Sequence, residues 1–221
     1  MSFHDAAVRT AQLGYDLKIP HLAFFSWPSK GRLSAYLKDQ GSVQVTMKAL
    51  GDYLELVVEQ AQAAGKPLHV LAHSMGNYVL LDAILRLLAL VGQGRPKLTI
   101  KSTIFAAPDL PAARLQQIVE LMQTISPRKT LYVSAKDRAL LLSGHLKGQP
   151  NAGEEITIAP GLQTIDVVGR RLSLLGHSYY AELKEVIADM HQLIHFGAEP
   201  DQRAILQRKE PVQHETYWQL P

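Results

Sequence analysis

Apolar positions along this chain follow two alternating rhythms: short apolar runs closed by small or turn-forming residues, and longer segments with a helical repeat. Ser2 and Asp5 have the spacing of a capping box, and Ala7, Val8, Ala11 and Leu13 follow roughly on one face, which predicts a helix over residues 3–17. Residues 22–27 are an apolar and aromatic run stopped by Pro28, the pattern of a buried parallel strand entering a loop. A helical stretch over 43–64 ends at Gly65 and Pro67. Residues 68–72 then predict a second strand and 76–90 a crossover helix. The alternation continues with a strand at 99–105, a helix at 111–125, strands at 131–134 and 164–168, and a helix at 179–196.

Strands alternating with helices imply right-handed crossovers and a mostly parallel sheet covered on both faces, an α/β architecture of three layers. In such sheets the ligand crevice lies beyond the carboxyl ends of the strands. Ser74, Asp109, Asp137 and His177 follow the second, third, fourth and fifth predicted strands, so all four fall on that edge. The Gly-, Pro- and Leu-containing stretch after Asp137 has room for a short helix that partly covers the site. The expected organisation is one domain over residues 1–197, with residues 198–221, which carry Tyr217 and Trp218, docked on its body.

Composition narrows the functional classes. With 221 residues, 47% hydrophobic and 19% charged, the chain is large enough for one globular domain with a sizeable core. The formal charge is +3 and the isoelectric point about 9.0, but Lys and Arg are scattered, which gives no support to nucleic-acid binding. There is no cysteine, so disulfide and thiolate chemistry are excluded. The longest apolar stretch, 78–91, is interrupted by Asp82 and Arg86 and predicts no membrane span. No signal-peptide pattern follows Met1, and a cytoplasmic location is expected if Met1 is the true start.

The chemistry centres on residues 68–77, Leu-His-Val-Leu-Ala-His-Ser-Met-Gly-Asn, where a strand-like run meets a small-x-Ser-x-Gly turn and then a helical pattern. A serine on a sharp strand-to-helix turn projects Oγ above a sheet, and Ala72 and Gly76 are the small neighbours such a turn needs. A serine hydroxyl needs a base within hydrogen-bond reach, itself oriented by an acid. The order Ser74, Asp137, His177 is that of an α/β-hydrolase triad, with Ser74 as nucleophile, His177 as general base and then acid, and Asp137 fixing the imidazole. Asp109, in Ala-Ala-Pro-Asp, is a rival acid that could instead belong to the start of a helix before Pro111. Trp27 at the catalytic edge, with Leu140 and Leu141, would line an apolar acyl pocket; Trp27 serves equally well as a core aromatic. His191 and His195 share a helix face, but Gln192 stands where the zinc-protease pattern has glutamate, so no metal is expected.

Several segments together resemble a known family: 25–31 (Phe-Ser-Trp-Pro-Ser-Lys-Gly), 72–77, 107–109, 131–140, 176–180 (Gly-His-Ser-Tyr-Tyr) and the pair Tyr217-Trp218. They are similar to the branch of the α/β-hydrolase superfamily catalogued as a domain of unknown function, over nearly the whole chain. The resemblance implies a serine esterase or related hydrolase, with Ser74, Asp137 and His177 at the triad positions; no cofactor is expected. Its oxyanion hole uses the N–H of the residue after the nucleophile, here Met75, and a second N–H from a His-Gly turn that in the family lies ahead of the segment matching Ser2-Phe3. That turn and the strand leading into it are not in this sequence, so the fold is expected to be shortened at its N-terminal side. The 68–72 strand would then lack its usual neighbour unless 22–27 shifts across, and a second oxyanion donor would have to come from elsewhere, such as a backbone N–H near Trp27.

The expected function is therefore a carboxylic-ester hydrolase acting through an acyl-enzyme on a small-molecule acyl substrate. Two alternatives stay open: a hydrolase-fold binding or scaffold protein with weak or lost chemistry, and a fragment of a longer hydrolase. Acyl length, leaving group and oligomeric state are not legible.

Overall fold

A computed structural model describes residues 2–27, 36–93, 98–134, 152–153, 156–168, 183–210 and 216–221, with backbone only for 36–45. Its helices are α1 (Phe3–Asp16), α2 (Tyr36–Ala63), α3 (Gly76–Gly92), α4 (Ala112–Leu121) and α5 (Lys184–Phe196). The strands are β1 (His69–His73), β2 (Ser102–Ala106), β3 (Arg128–Val133), β4 (Leu162–Val167), β5 (Gln207–Lys209) and β6 (Tyr217–Leu220). They form one sheet in the order β1-β2-β3-β4-β6-β5, parallel throughout except for the antiparallel β5–β6 pair.

Alternation along each strand builds the three layers. Phe105, Leu131 and Val133 point to one face, where Leu54 and Val58 of α2, Leu80, Leu81, Ile84 and Leu87 of α3 and Leu115 of α4 complete a buried core. Ile104, Ala106, Tyr132 and Ile165 point to the other, against Leu17 and against Val186, Met190 and Leu193 of α5. Because both faces are covered, β2 and β3 are buried almost end to end, as parallel strands under helices must be.

Helix α1 starts as the sequence predicts: the Ser2 side chain accepts the Asp5 N–H at 3.1 Å, and the Asp5 carboxylate accepts the Ser2 N–H at 3.2 Å. Residues 22–27, by contrast, do not form a strand. The side chains of this run are used for packing instead of its backbone for a ladder. Leu22 folds back over Gly14, where an added Cβ would stand 2.0 Å from Leu22 Cδ1. Phe24 stacks on Phe3 of α1 at 5.2 Å and Phe25 on Tyr53 of α2 at 5.7 Å. Among the described residues β1 consequently pairs with β2 alone and ends the sheet. Helix α2 begins seven residues earlier than its apolar repeat suggests, at Tyr36 instead of residue 43, and β3 begins at Arg128 instead of 131.

The early start of β3 draws a lysine into the interior. Lys129 is fully buried and donates from Nζ to the Ser126 carbonyl at 3.0 Å, beside a Thr103–Ser126 hydroxyl pair at 2.8 Å. Burial pushes its ammonium from the ordinary 10.5 down to about 8. Since the folded value lies below the unfolded one, protonation opposes folding below pH 8, and the penalty fades as pH rises from about 8 to 10.5. The two values differ by the equivalent of roughly 3 kcal/mol. Lys129→Met is therefore expected to be more stable than the parent at pH 7 by about 1–3 kcal/mol, with the gap closing by pH 10.5, in denaturant titrations at the two pH values. An unchanged gap would mean that the lysine is not buried as a cation.

Candidate active site

The carboxyl end of β1 runs directly into Ser74, whose φ is +54°, in the left-handed region that a non-glycine residue seldom occupies. Strain of this kind persists only where the surroundings over-determine it, and here they do. The Ser74 N–H donates to the Ala106 carbonyl at the end of β2 at 3.0 Å. The Ser74 carbonyl accepts three bonds, from the Asn77 N–H at 3.1 Å, the Asn77 side-chain amide at 2.9 Å and the Asp109 N–H at 3.3 Å. The same Asn77 amide also reaches the Ala106 carbonyl at 3.3 Å. Ser74 is thereby turned sharply between β1 and α3, with its carbonyl tied back into the protein.

Asn77 is the residue that sequence reasoning missed. It is fully buried in the first turn of a helix whose other buried positions are Val79, Leu80, Leu81, Ala83, Ile84 and Leu87. A polar side chain among apolar helix positions was the available signal, because a buried amide must find partners. The partners themselves, Ala106 in particular, are set by the β1–β2 pairing and not by local sequence.

Met75 precedes the first residue of α3, so its N–H belongs to the set at a helix start that has no earlier helical carbonyl to bond. The helix dipole adds positive potential at that end, which favours a developing negative charge. Gly76 lies beneath Trp27: a Cβ there would meet the indole Cη2 at 3.4 Å, which is ordinary contact. The glycine accordingly allows close approach of Trp27 without being required by the backbone.

Asp109 is brought to the same place. Ala107, with φ +44°, makes a second left-handed turn at the end of β2, and Pro108 and Asp109 then pass beside the nucleophile turn. Asp109 is only 2% exposed, and α4 begins with Pro111 as its N-cap without a side-chain cap bond, so Asp109 does not serve as the helix cap. The neighbouring wall is made by residues 152–153: the Ser134 N–H donates to the Gly153 carbonyl at 3.0 Å, and the Gly153 N–H to the Pro108 carbonyl at 3.1 Å. Ser74, Met75, Asp109 and Trp27 thus share one end of the sheet. Asp137, Leu140, Leu141 and His177 lie outside the described residues; in the sequence they follow β3 and β4.

A serine in left-handed conformation between a parallel strand and the helix that follows it is the local arrangement that α/β-hydrolases share. The sequence model of the family described as "alpha/beta hydrolase of unknown function (DUF900)" matches residues 1–195. The chain belongs to this α/β-hydrolase family. No curated protein and no solved structure matches it.

In this DUF900 chain two further histidines lie away from the Ser74 turn. His191 and His195 stack at 4.3 Å on α5, and His195 Nε2 lies 2.7 Å from the Leu17 carbonyl, joining α5 to the end of α1. The groove of about 1030 Å³ between these helices, lined by Gln12, Asp16, Lys18, Lys184 and His191 among others, does not include the Ser74 turn. Among the described residues no group of three or more His, Asp or Glu side chains is arranged to hold a metal ion. No helix among them is long and apolar enough to cross a membrane.

Proposed function

We propose that the protein is a serine hydrolase that cleaves carboxylic esters through an acyl-enzyme, with Ser74 as nucleophile, His177 as general base and then acid, and Asp137 as the residue that orients His177. The observation that carries this reading is the left-handed φ of +54° at Ser74, held by four hydrogen bonds to its own backbone groups at the start of α3. Strain held so firmly at one serine is the expected geometry of a nucleophile presented above a sheet. Asp109 remains the alternative acid, supported by its burial beside the turn.

The chemistry follows from these roles. Ser74 Oγ attacks the ester carbonyl while His177 takes its proton, and the Met75 N–H donates to the oxygen that gains negative charge. The tetrahedral centre collapses, the alkoxide leaves with the proton from His177, and the acyl group stays on Ser74. Water, deprotonated by His177, then attacks the acyl carbonyl and releases the carboxylate, returning the proton to Ser74.

An acyl-enzyme has a kinetic signature. Mixing with excess p-nitrophenyl acetate is expected to release about one p-nitrophenol per chain in a rapid phase before slower turnover, and His177→Ala should abolish that phase. Asp137→Asn should slow it more than Asp109→Asn. The reverse ranking would transfer the acid role to Asp109, and no release above that of the free ester in buffer would contradict the proposal.

A further inference from the structure

Tyr78 stands in the first turn of α3 and Arg114 in the first turn of α4, the helices that follow β1 and β2. Both turns are pinned to the nucleophile by their backbones. The Tyr78 N–H donates to the Met75 carbonyl at 3.0 Å and the Arg114 N–H to the Pro111 carbonyl at 3.0 Å, while Asp109, just before Pro111, donates its N–H to the Ser74 carbonyl at 3.3 Å. Helical side chains lean toward the N-terminus of their helix, which for these two residues is the sheet end that carries Ser74. There the Arg114 guanidinium lies over the Tyr78 ring, Cζ at 4.5 Å from the centroid, and Nη1 donates to the Tyr78 hydroxyl at 3.2 Å.

The charge of this guanidinium is unanswered. Among the described residues Arg114 forms no ion pair, and its one side-chain hydrogen bond goes to a neutral hydroxyl. Its Nε is buried and bonded to none of them. By contrast Arg86, Arg128, Arg203 and Arg208 each meet a carboxylate, on Asp52, Glu199, Asp189 and Asp201. Arg114 is half-buried, not enclosed, so a ligand can still reach the outer edge of the fork. Partial burial without a counter-charge is costly, and a planar guanidinium fixed by a ring and a hydroxyl is ready to take a carboxylate.

We infer that Arg114, steadied by Tyr78, binds a carboxylate of the substrate, so that the protein cleaves esters carrying a free acid group. The inference rests on the serine-hydrolase reading and narrows its substrate class from esters in general to acidic ones. The acid can sit in the acyl part or in the alcohol part, and the two are separable by experiment.

Four esters test it, in pairs that differ only by an isopropyl group in place of a carboxylate. Monomethyl glutarate against methyl 5-methylhexanoate places the acid in the acyl part; butyryloxyacetate against isobutyl butyrate places it in the alcohol part. The parent chain should favour the acidic member of one pair by about 10–100-fold in kcat/KM, the worth of a hydrogen-bonded charge. Arg114→Gln should bring that ratio to within about threefold of one. Ratios near or below one for both pairs, or a folded Arg114→Gln chain that keeps the parental ratio, overturn the inference and leave the hydrolase reading standing. No turnover of any of the four also overturns it, and if Ser74 is then inert to a p-nitrophenyl alkylphosphonate the hydrolase reading falls as well. Should Arg114→Gln not fold, the ratios of the parent chain decide alone.

Discussion

Ser74→Ala is expected to reduce ester turnover by at least about 10³-fold, toward the roughly 10⁶-fold seen when the nucleophile of a complete triad is removed. The lower bound allows for the residual catalysis that oxyanion donors and substrate binding supply without the nucleophile. KM is expected to change little, because Oγ makes its decisive bond only in the transition state. The substitution should also leave folding intact: the bonds that hold the turn run through the Ser74 backbone and through Asn77, and none of those described uses the Ser74 hydroxyl. Alanine must still adopt φ +54°, so only a small change in melting temperature is expected. Steady-state kinetics with a melting curve separates the two effects, and a well-folded Ser74→Ala chain with parental kcat would remove Ser74 from the mechanism.

The second large effect concerns stability, at a buried ion pair on the opposite side of the sheet from α2 and α3. Arg203 and Asp189 are both buried, with Nη1 to Oδ2 at 3.2 Å. The same Oδ2 accepts the Tyr132 hydroxyl at 2.5 Å, while Arg203 also donates from Nε to the Ala198 carbonyl at 2.9 Å and from Nη2 to Gln163. The cluster joins β3, β4, α5 and the segment leading to β5. Burial raises the Asp189 carboxyl above its ordinary value, against the opposing pull of Arg203 and the hydroxyl of Tyr132. Asp189→Ala leaves a buried guanidinium without its counter-charge and is expected to cost about 3–5 kcal/mol, lowering Tm by roughly 10 °C for a chain of this length. Removing both charges in Asp189→Leu/Arg203→Met should cost much less than the sum of the single changes, because no charge is left stranded. Additive losses in that cycle would show that the two groups do not act as a pair.

These two clusters differ in how far the sequence discloses them. The Ser74 turn is legible because its signature is local, an apolar run, small residues at 72 and 76 and a helix starting at once, although the Ala106 and Asp109 groups that hold it come from β2 and the loop after it. Most crossover elements are legible for the same reason, since periodicity and capping act within one segment, as Ser2 and Asp5 do at α1. Residues 22–27 misled because an aromatic run has the same signature whether its backbone pairs in a sheet or its side chains pack on helices. The choice between them depends on Phe3, Gly14 and Tyr53, which are distant features. Arg128 and Lys129 hid the true start of β3, because charged residues seldom fill buried strand positions. Gln207–Lys209 and Tyr217–Leu220 become strands only because β4 offers an edge. Asn77, Asp189 and Arg203 were not recognised, since their meaning lies in partners that the fold brings together.

The most direct measurement of the central claim is peptide mass analysis after treatment with a p-nitrophenyl alkylphosphonate, an ester mimic that bonds irreversibly to an activated serine. One alkylphosphonyl group per chain is expected, on the peptide containing Ser74, with none on Ser74→Ala. No adduct on the folded parent chain, or equal labelling of Ser74→Ala, would contradict the assignment of Ser74 as nucleophile.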